Sequence, residues 1–129
     1  MHKSRLSNII IDCRTDDIEV AANFWAAAIG RSPVSGSDPS DPYRLLKGSP
    51  NEMKILVQAV QHESRVHLDI ETNDVEAEAS RLEKLGASRV AKIHTWWVME
   101  APTGQRFCVV RPQRADFEDN ANVWSGGNV

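Results

Sequence analysis

The same order of elements is written twice into this chain. Asp17 and Asp74 stand 57 residues apart, each at the head of a segment with helical periodicity, and Gly30 and Gly86, 56 apart, close those segments. The strands ahead of them keep the offset, with Ile10 matching His67 and Asp12 matching Asp69. Each half reads strand–helix–strand–strand–strand. Self-similarity at a fixed offset is the mark of a duplicated supersecondary unit, here a βαβββ module used twice. The expected fold class is α+β, two βαβββ repeats in one domain.

Local chemistry supports each element. SNIIIDC (7–13) is a β-branched strand. Asp16 with Glu19 has capping-box spacing, and Ile18, Ala22, Trp25 and Ile29 form one helical stripe up to Gly30. SPVSGSDPSDP (32–42) is a loop with room for a ragged strand, and YRLLKG (43–48) and MKILVQAV (53–60) are strands around Ser49-Pro50-Asn51. The second half repeats this. RVHLDI (65–70) is a strand, Asn73 with Glu76 opens a helix, and Val75, Ala79, Leu82 and Leu85 form its stripe before Gly86. SRVAKIH (88–94), TWWVMEA (95–101) and QRFCVVR (105–111) are strands, the last two joined at Pro102-Thr103-Gly104. Residues 113–129 form a polar tail with Trp124 and Gly126-Gly127, and an aromatic in a tail docks somewhere.

Composition excludes several classes of function. A chain of 129 residues, 41% hydrophobic and 26% charged, is one ordinary folded domain. Net charge is −3 without a basic cluster, so no nucleic-acid partner is expected. No apolar run reaches the roughly 18 residues of a membrane span, and the start, MHKSRLSNIIIDC, is not a secretory signal. Two cysteines, Cys13 and Cys108, are too few for a disulfide scaffold. The expectation is a cytoplasmic protein with reduced thiols.

Strand parity selects the residues able to carry chemistry. His67 and Asp69 alternate with Val66, Leu68 and Ile70, so the polar pair shares the face turned away from the helix. That face either lines a polar cavity or is wet. Ile10 and Asp12 repeat the pattern on the first strand. Gln58 shares a face with Leu56 and Val60, and Cys108 with Arg106 and Val110. Cys13 falls on the helix side of its strand. Trp96 and Trp97 are adjacent, so one faces a cavity and the other does not. An aromatic wall there would suit a flat or apolar ligand, and core filling or a dimer contact would suit it equally.

Asp17 followed by Phe24-Trp25 and Ile29-Gly30, with RVHLDIETNDVEAEASRLEKLGA (65–87) and WVMEAPTGQRFCVVRP (97–112), resembles the glyoxalase/bleomycin-resistance/dioxygenase (vicinal oxygen chelate) superfamily, in its glyoxalase-like branch. Ala101 replaces an Asp usual in that ending. The resemblance implies one domain over 1–112 built of modules 7–60 and 65–112, its modules forming a cup-shaped mixed sheet with helices outside, followed by the tail 113–129. It also implies a homodimer. In metal-dependent members the ligands come from the first and last strand of each module. Carried over, those positions fall on Ile10, Gln58, His67 and Cys108. Ile cannot bind, an amide is a weak ligand, and one imidazole does not hold a metal. No metal or other cofactor is therefore expected. The expected function is binding of a small organic molecule by His67, Asp69, Gln58, Asp12, Ile10, Cys108 and Trp97. A lyase or isomerase using His67 as acid or base is the alternative, and a metal-dependent member with an atypical site is the remote one.

Overall fold

The computed structural model describes residues 1–34, 38 and 40–125, so Ser35, Gly36, Ser37 and Pro39 of the 32–42 loop and the Gly126-Gly127 end of the tail lie outside the described residues. The chain forms two compact units, Asn8–His67 and Met1–Ser7 with Leu68–Val129.

In the unit of residues 8–67, β1 (His2–Arg14) supplies Asn8–Arg14, followed by α1 (Ile18–Ile29), β2 (Ser32–Pro33), β3 (Tyr43–Lys47) and β4 (Lys54–Val60). The strand order is β2-β3-β4-β1. β4 lies parallel to β1, from Asn8↔Lys54 to Arg14↔Val60, and antiparallel to β3. The helix cap is Asp17 rather than Asp16: extended at φ −129°, it accepts the Glu19 N–H at 3.0 Å. Gly30 ends α1 at φ 74°, a left-handed conformation that a Cβ would strain. α1 buries Ile18, Ala22 and Ala26 on Leu46 and Val57, with Trp25, Ile11, Cys13, Ile55 and Ala59 around them. Val57 and Leu46 are fully enclosed, each side chain stabilising the fold by about 1.5–3 kcal/mol. Ala26 takes the place expected for Ile29, which is 41% exposed.

The other unit holds the end of β5 (Arg65–Thr72), α2 (Val75–Lys84), β6 (Ser88–Ile93), β7 (Trp96–Glu100), β8 (Arg106–Val110), α3 (Phe117–Asn120) and β9 (Asn122–Trp124). The order is β5-β8-β7-β6, with β5 and β8 parallel and the rest antiparallel. Asp74, not Asn73, caps α2, accepting the Ala77 N–H at 3.0 Å. The reason is tertiary: the Asn73 side-chain oxygen already accepts the Lys3 N–H at 2.9 Å. α2 packs Ala79, Leu82 and Val75 against Ile70, Trp97, Met99, Phe107 and Val109. Of the apolar residues alternating along β5, only Ile70 joins this cluster; Val66 and Leu68 are exposed, as is Leu85 at the end of the helical stripe. His94 takes φ 51° in the two-residue turn between β6 and β7, the positive φ such hairpins require. Of the tail, residues 117–124 carry α3 and β9.

Both units thus repeat one βαβββ plan, and the fold is α+β. Among the described residues no helix is long and apolar enough to cross a membrane.

Candidate functional site

The register of residues 8–67 assigns each side chain to a face. Ile11, Cys13, Ile55, Val57, Ala59 and Leu46 turn toward α1. By alternation the opposite face carries Ile10 and Asp12 from β1, Leu56 and Gln58 from β4, and Tyr43 and Leu45 from β3. Ile10 pairs with Leu56, and Asp12 with Gln58, which in turn pairs with Tyr43. This is an apolar surface with polar groups gathered at one end.

His67 belongs to that polar end. Its Nδ1 lies 2.8 Å from Asp12 Oδ2, with the imidazole 13% and the carboxylate 3% exposed. A carboxylate oxygen accepts, so Nδ1–H donates, and the ring's orientation is fixed by that bond. The other carboxylate oxygen, Asp12 Oδ1, is buried without a hydrogen-bond partner among the described residues. An oxygen buried in this way costs about 1–3 kcal/mol. The fold therefore bears a cost to hold this pair.

At the metal-ligand positions of the resemblance, Ile10 is a hydrocarbon at 2% exposure and Gln58 is a neutral amide. In the module that holds them, these two offer a dication almost nothing. In the other unit, Asp69 and Cys108 are direct register partners across β5 and β8, on the face away from α2. Asp69 brings a carboxylate and Cys108 a thiol, and both are groups that can ligate a metal. Both cysteines are free. Cys13 lies on the α1 side, where burial pushes its thiol up, and so it is not poised as a nucleophile.

Trp97 lies elsewhere than the ligand-facing position expected of it. Its register partner is Val109, inside the α2 cluster, and its indole N–H donates to Glu76 at 2.8 Å. Arg89 covers the same ring at 4.9 Å. That indole is committed to α2, and by alternation Trp96 takes the face of Cys108. Glu76 gathers Arg89, Trp97 and Lys92, and their hydrogen bonds, Arg89's first, hold its carboxyl down at about 2. A hollow of about 500 Å³ at the start of α2 is lined by Asp74, Glu76, Lys92, His94 and Arg111 among others. None of the residues singled out in the sequence as ligand-binding lines it.

Two participants were not visible in the sequence. Tyr43 joins the Gln58 end only through the β3–β4 register. The partnership of Asp12 with His67 joins residues 55 apart, which parity alone cannot do.

Comparison with known proteins agrees with this architecture. A family model described as a glyoxalase-like domain matches residues 8–110. No protein of curated function matches. Among solved structures, a hypothetical protein, BH1468, from Bacillus halodurans C-125 superposes with TM-score 0.60 at 13% identity, covering 87% of this chain and 97% of that one. Methylmalonyl-CoA epimerase from Mycobacterium tuberculosis gives 0.58 at 18% identity, covering 84% and 88%. A Legionella pneumophila structure titled NAD-dependent benzaldehyde dehydrogenase gives 0.56 at 10%, covering 81% and 99%. At such identities the likeness speaks for the fold alone. The family model spans most of the sequence, and the chain belongs to the glyoxalase-like domain family.

Proposed function

We propose that this protein binds a small organic molecule at the polar end of the face that α1 leaves uncovered, without the superfamily's metal. The observation that carries the reading is the Asp12–His67 hydrogen bond at 2.8 Å, formed by a carboxylate 3% exposed. It fixes the orientation and tautomer of an imidazole beside Ile10 and Gln58, giving a ligand one directed polar contact among apolar ones. Ile10 and Gln58 support the absence of a metal. Asp69 and Cys108 are read as further ligand-facing residues. By likeness to the family, the chain is one domain over residues 1–112 that works as a homodimer in the cytoplasm.

The same hydrogen bond favours a second reading, a lyase or isomerase. A carboxylate on Nδ1 orients the imidazole and raises its basicity, the arrangement a general base needs. A screen of metabolites for thermal stabilisation, repeated on His67→Ala, separates the two. Binding predicts lost stabilisation with no turnover of any stabilising compound. A reaction abolished by the substitution while affinity is retained favours the enzyme. Stabilisation undiminished in His67→Ala, with no reaction lost, would overturn both.

A further inference from the structure

The matched family region ends at residue 110, yet the chain beyond it is fastened at two places. The first is Glu71, fully buried, which accepts the Gln113 and Arg114 N–H groups at 2.6 and 3.0 Å and Arg5 Nε at 2.7 Å. Phe117, 2% exposed, lies beneath the Arg5 guanidinium. The second is β9, which pairs antiparallel with the start of β1, His2↔Trp124 to Ser4↔Asn122. Trp124 donates its indole N–H to Ser4 Oγ at 2.8 Å and stacks on the Arg81 guanidinium at 3.9 Å. Arg81 grips both oxygens of Glu78 at 2.8 Å, and His2 Nε2 reaches the same carboxylate at 2.8 Å. Glu78, His2 and Ser4 are all 4% exposed or less.

The two fastenings differ in kind. Around Glu71 a buried charge is satisfied by backbone and guanidinium together, and Phe117 adds an enclosed ring. Breaking that arrangement strands a carboxylate. β9 is three residues long, its Asn122 and Val123 are exposed, and only Trp124 is half-buried. A three-residue edge strand held by one aromatic is the sort of segment that opens locally while the remainder stays folded.

We propose that β9 is a releasable strap. It undocks from His2–Ser4 as a piece, hinged between the fixed Phe117 and Asn122, and its release bares the edge of β1 together with the Glu78–His2–Arg81 cluster. Trp124 is the catch. In the closed state its ring covers Arg81 and its N–H occupies Ser4. In the open state a carboxylate, an imidazole and a guanidinium already held together meet solvent beside the bared start of β1.

Hydrogen–deuterium exchange by mass spectrometry on the full chain tests this, with Trp124→Ala and Trp124→Phe compared to the unsubstituted protein. The expected result is that Trp124→Ala speeds exchange in peptides covering 1–6 and 118–125 by roughly tenfold or more, the loss of one stacked cation–aromatic contact with its hydrogen bond. Peptides covering β5, β7 and β8 keep their protection. Trp124→Phe, which retains a ring over Arg81 but gives up the N–H, falls between. Exchange rising equally across residues 68–110, or a Trp124→Ala chain that fails to fold, would show the tail to be part of one cooperative unit and would overturn the strap. Unchanged exchange at 1–6 would remove Trp124 as the catch.

Discussion

Replacing Asp12 by Asn tests whether the Asp12–His67 pair exists for stability or for function. The carboxylate accepts from His67 Nδ1 at 2.8 Å through one oxygen, while the other is buried with no partner. The substituted amide keeps an oxygen for Nδ1–H but turns a charge-assisted hydrogen bond into a neutral one. A bond to a charged group contributes about 1.5–3 kcal/mol and a neutral one about 0.5–1.5, so the loss is about 1 kcal/mol. Against it stands removal of a buried charge with one oxygen unsatisfied, which returns a similar amount even though the new amide N–H groups also lack partners. The two nearly cancel. Urea denaturation of Asp12→Asn should therefore match the unsubstituted protein to within about 1 kcal/mol, with an unchanged slope. Ligand affinity, or turnover if there is any, should fall by about tenfold or more, since a neutral partner no longer fixes the imidazole as strongly. A loss of more than about 2 kcal/mol would refute the reasoning and make the pair a structural tie.

Glu71→Ala should cost roughly 3 kcal/mol or more in urea denaturation, because it leaves the N–H groups of Gln113 and Arg114 and part of Arg5 unpaired in a buried place. A cost below about 1 kcal/mol would show that water replaces the carboxylate. Stability should fall on acidification. Glu76 titrates at about 2 when folded against 4.5 when free, so its contribution is present above pH 4.5 and lost as pH falls toward 2. Because the side chain is more than half exposed, that contribution is about 1 kcal/mol after screening, and Arg89→Ala should flatten the acid limb of a Tm-versus-pH curve. Gly30→Ala, at φ 74°, should lower stability by about 1 kcal/mol even though nothing crowds the added methyl. Protein purified without chelator should carry substoichiometric metal by elemental analysis. Tightly bound stoichiometric metal, lost in Cys108→Ser, would contradict the metal-free reading and point to the Asp69–Cys108 pair.

What the sequence could reveal was set by the range of the interactions involved. The two βαβββ units, the helix-ending role of Gly30 and the side of the sheet taken by Cys13 follow from period and parity, which are local. The helix caps were displaced by one residue in both modules, and in the second the cause is not local in sequence. Asn73 is drawn off to the Lys3 N–H, 70 residues away along the chain, and only then does Asp74 become the cap. That the tail's aromatic docks could be expected, but where it docks could not, because its anchors, Glu71, Ser4 and Arg81, lie far from it in the chain. His67 stood out by parity, whereas its partner Asp12 is a matter of tertiary register. Parity could say that Trp96 and Trp97 face opposite ways but not which of them meets α2. That was settled by the pairing of Trp97 with Val109.

Glu71, Glu78 and Asp12 are each almost wholly enclosed, but the fold treats these three carboxylates differently. Glu71 meets two backbone N–H groups and a guanidinium. Glu78 meets a guanidinium fork and an imidazole, and although burial pushes its carboxyl up, Arg81, His2 and Ser4 outweigh that and hold it below the usual range. Both are paired as stability requires of a buried charge. Asp12 alone of the three keeps an oxygen unpartnered among the described residues and meets only an imidazole, with no guanidinium beside it. A fold able to satisfy two buried carboxylates fully and leaving the third short of donors beside a histidine is not using that third one to hold itself together. Selection for stability alone favours an apolar residue at position 12, as at Ile10 two residues before it on the same face. On the function proposed above, Asp12 is kept for what it does to His67, and the Asp12→Asn comparison decides it.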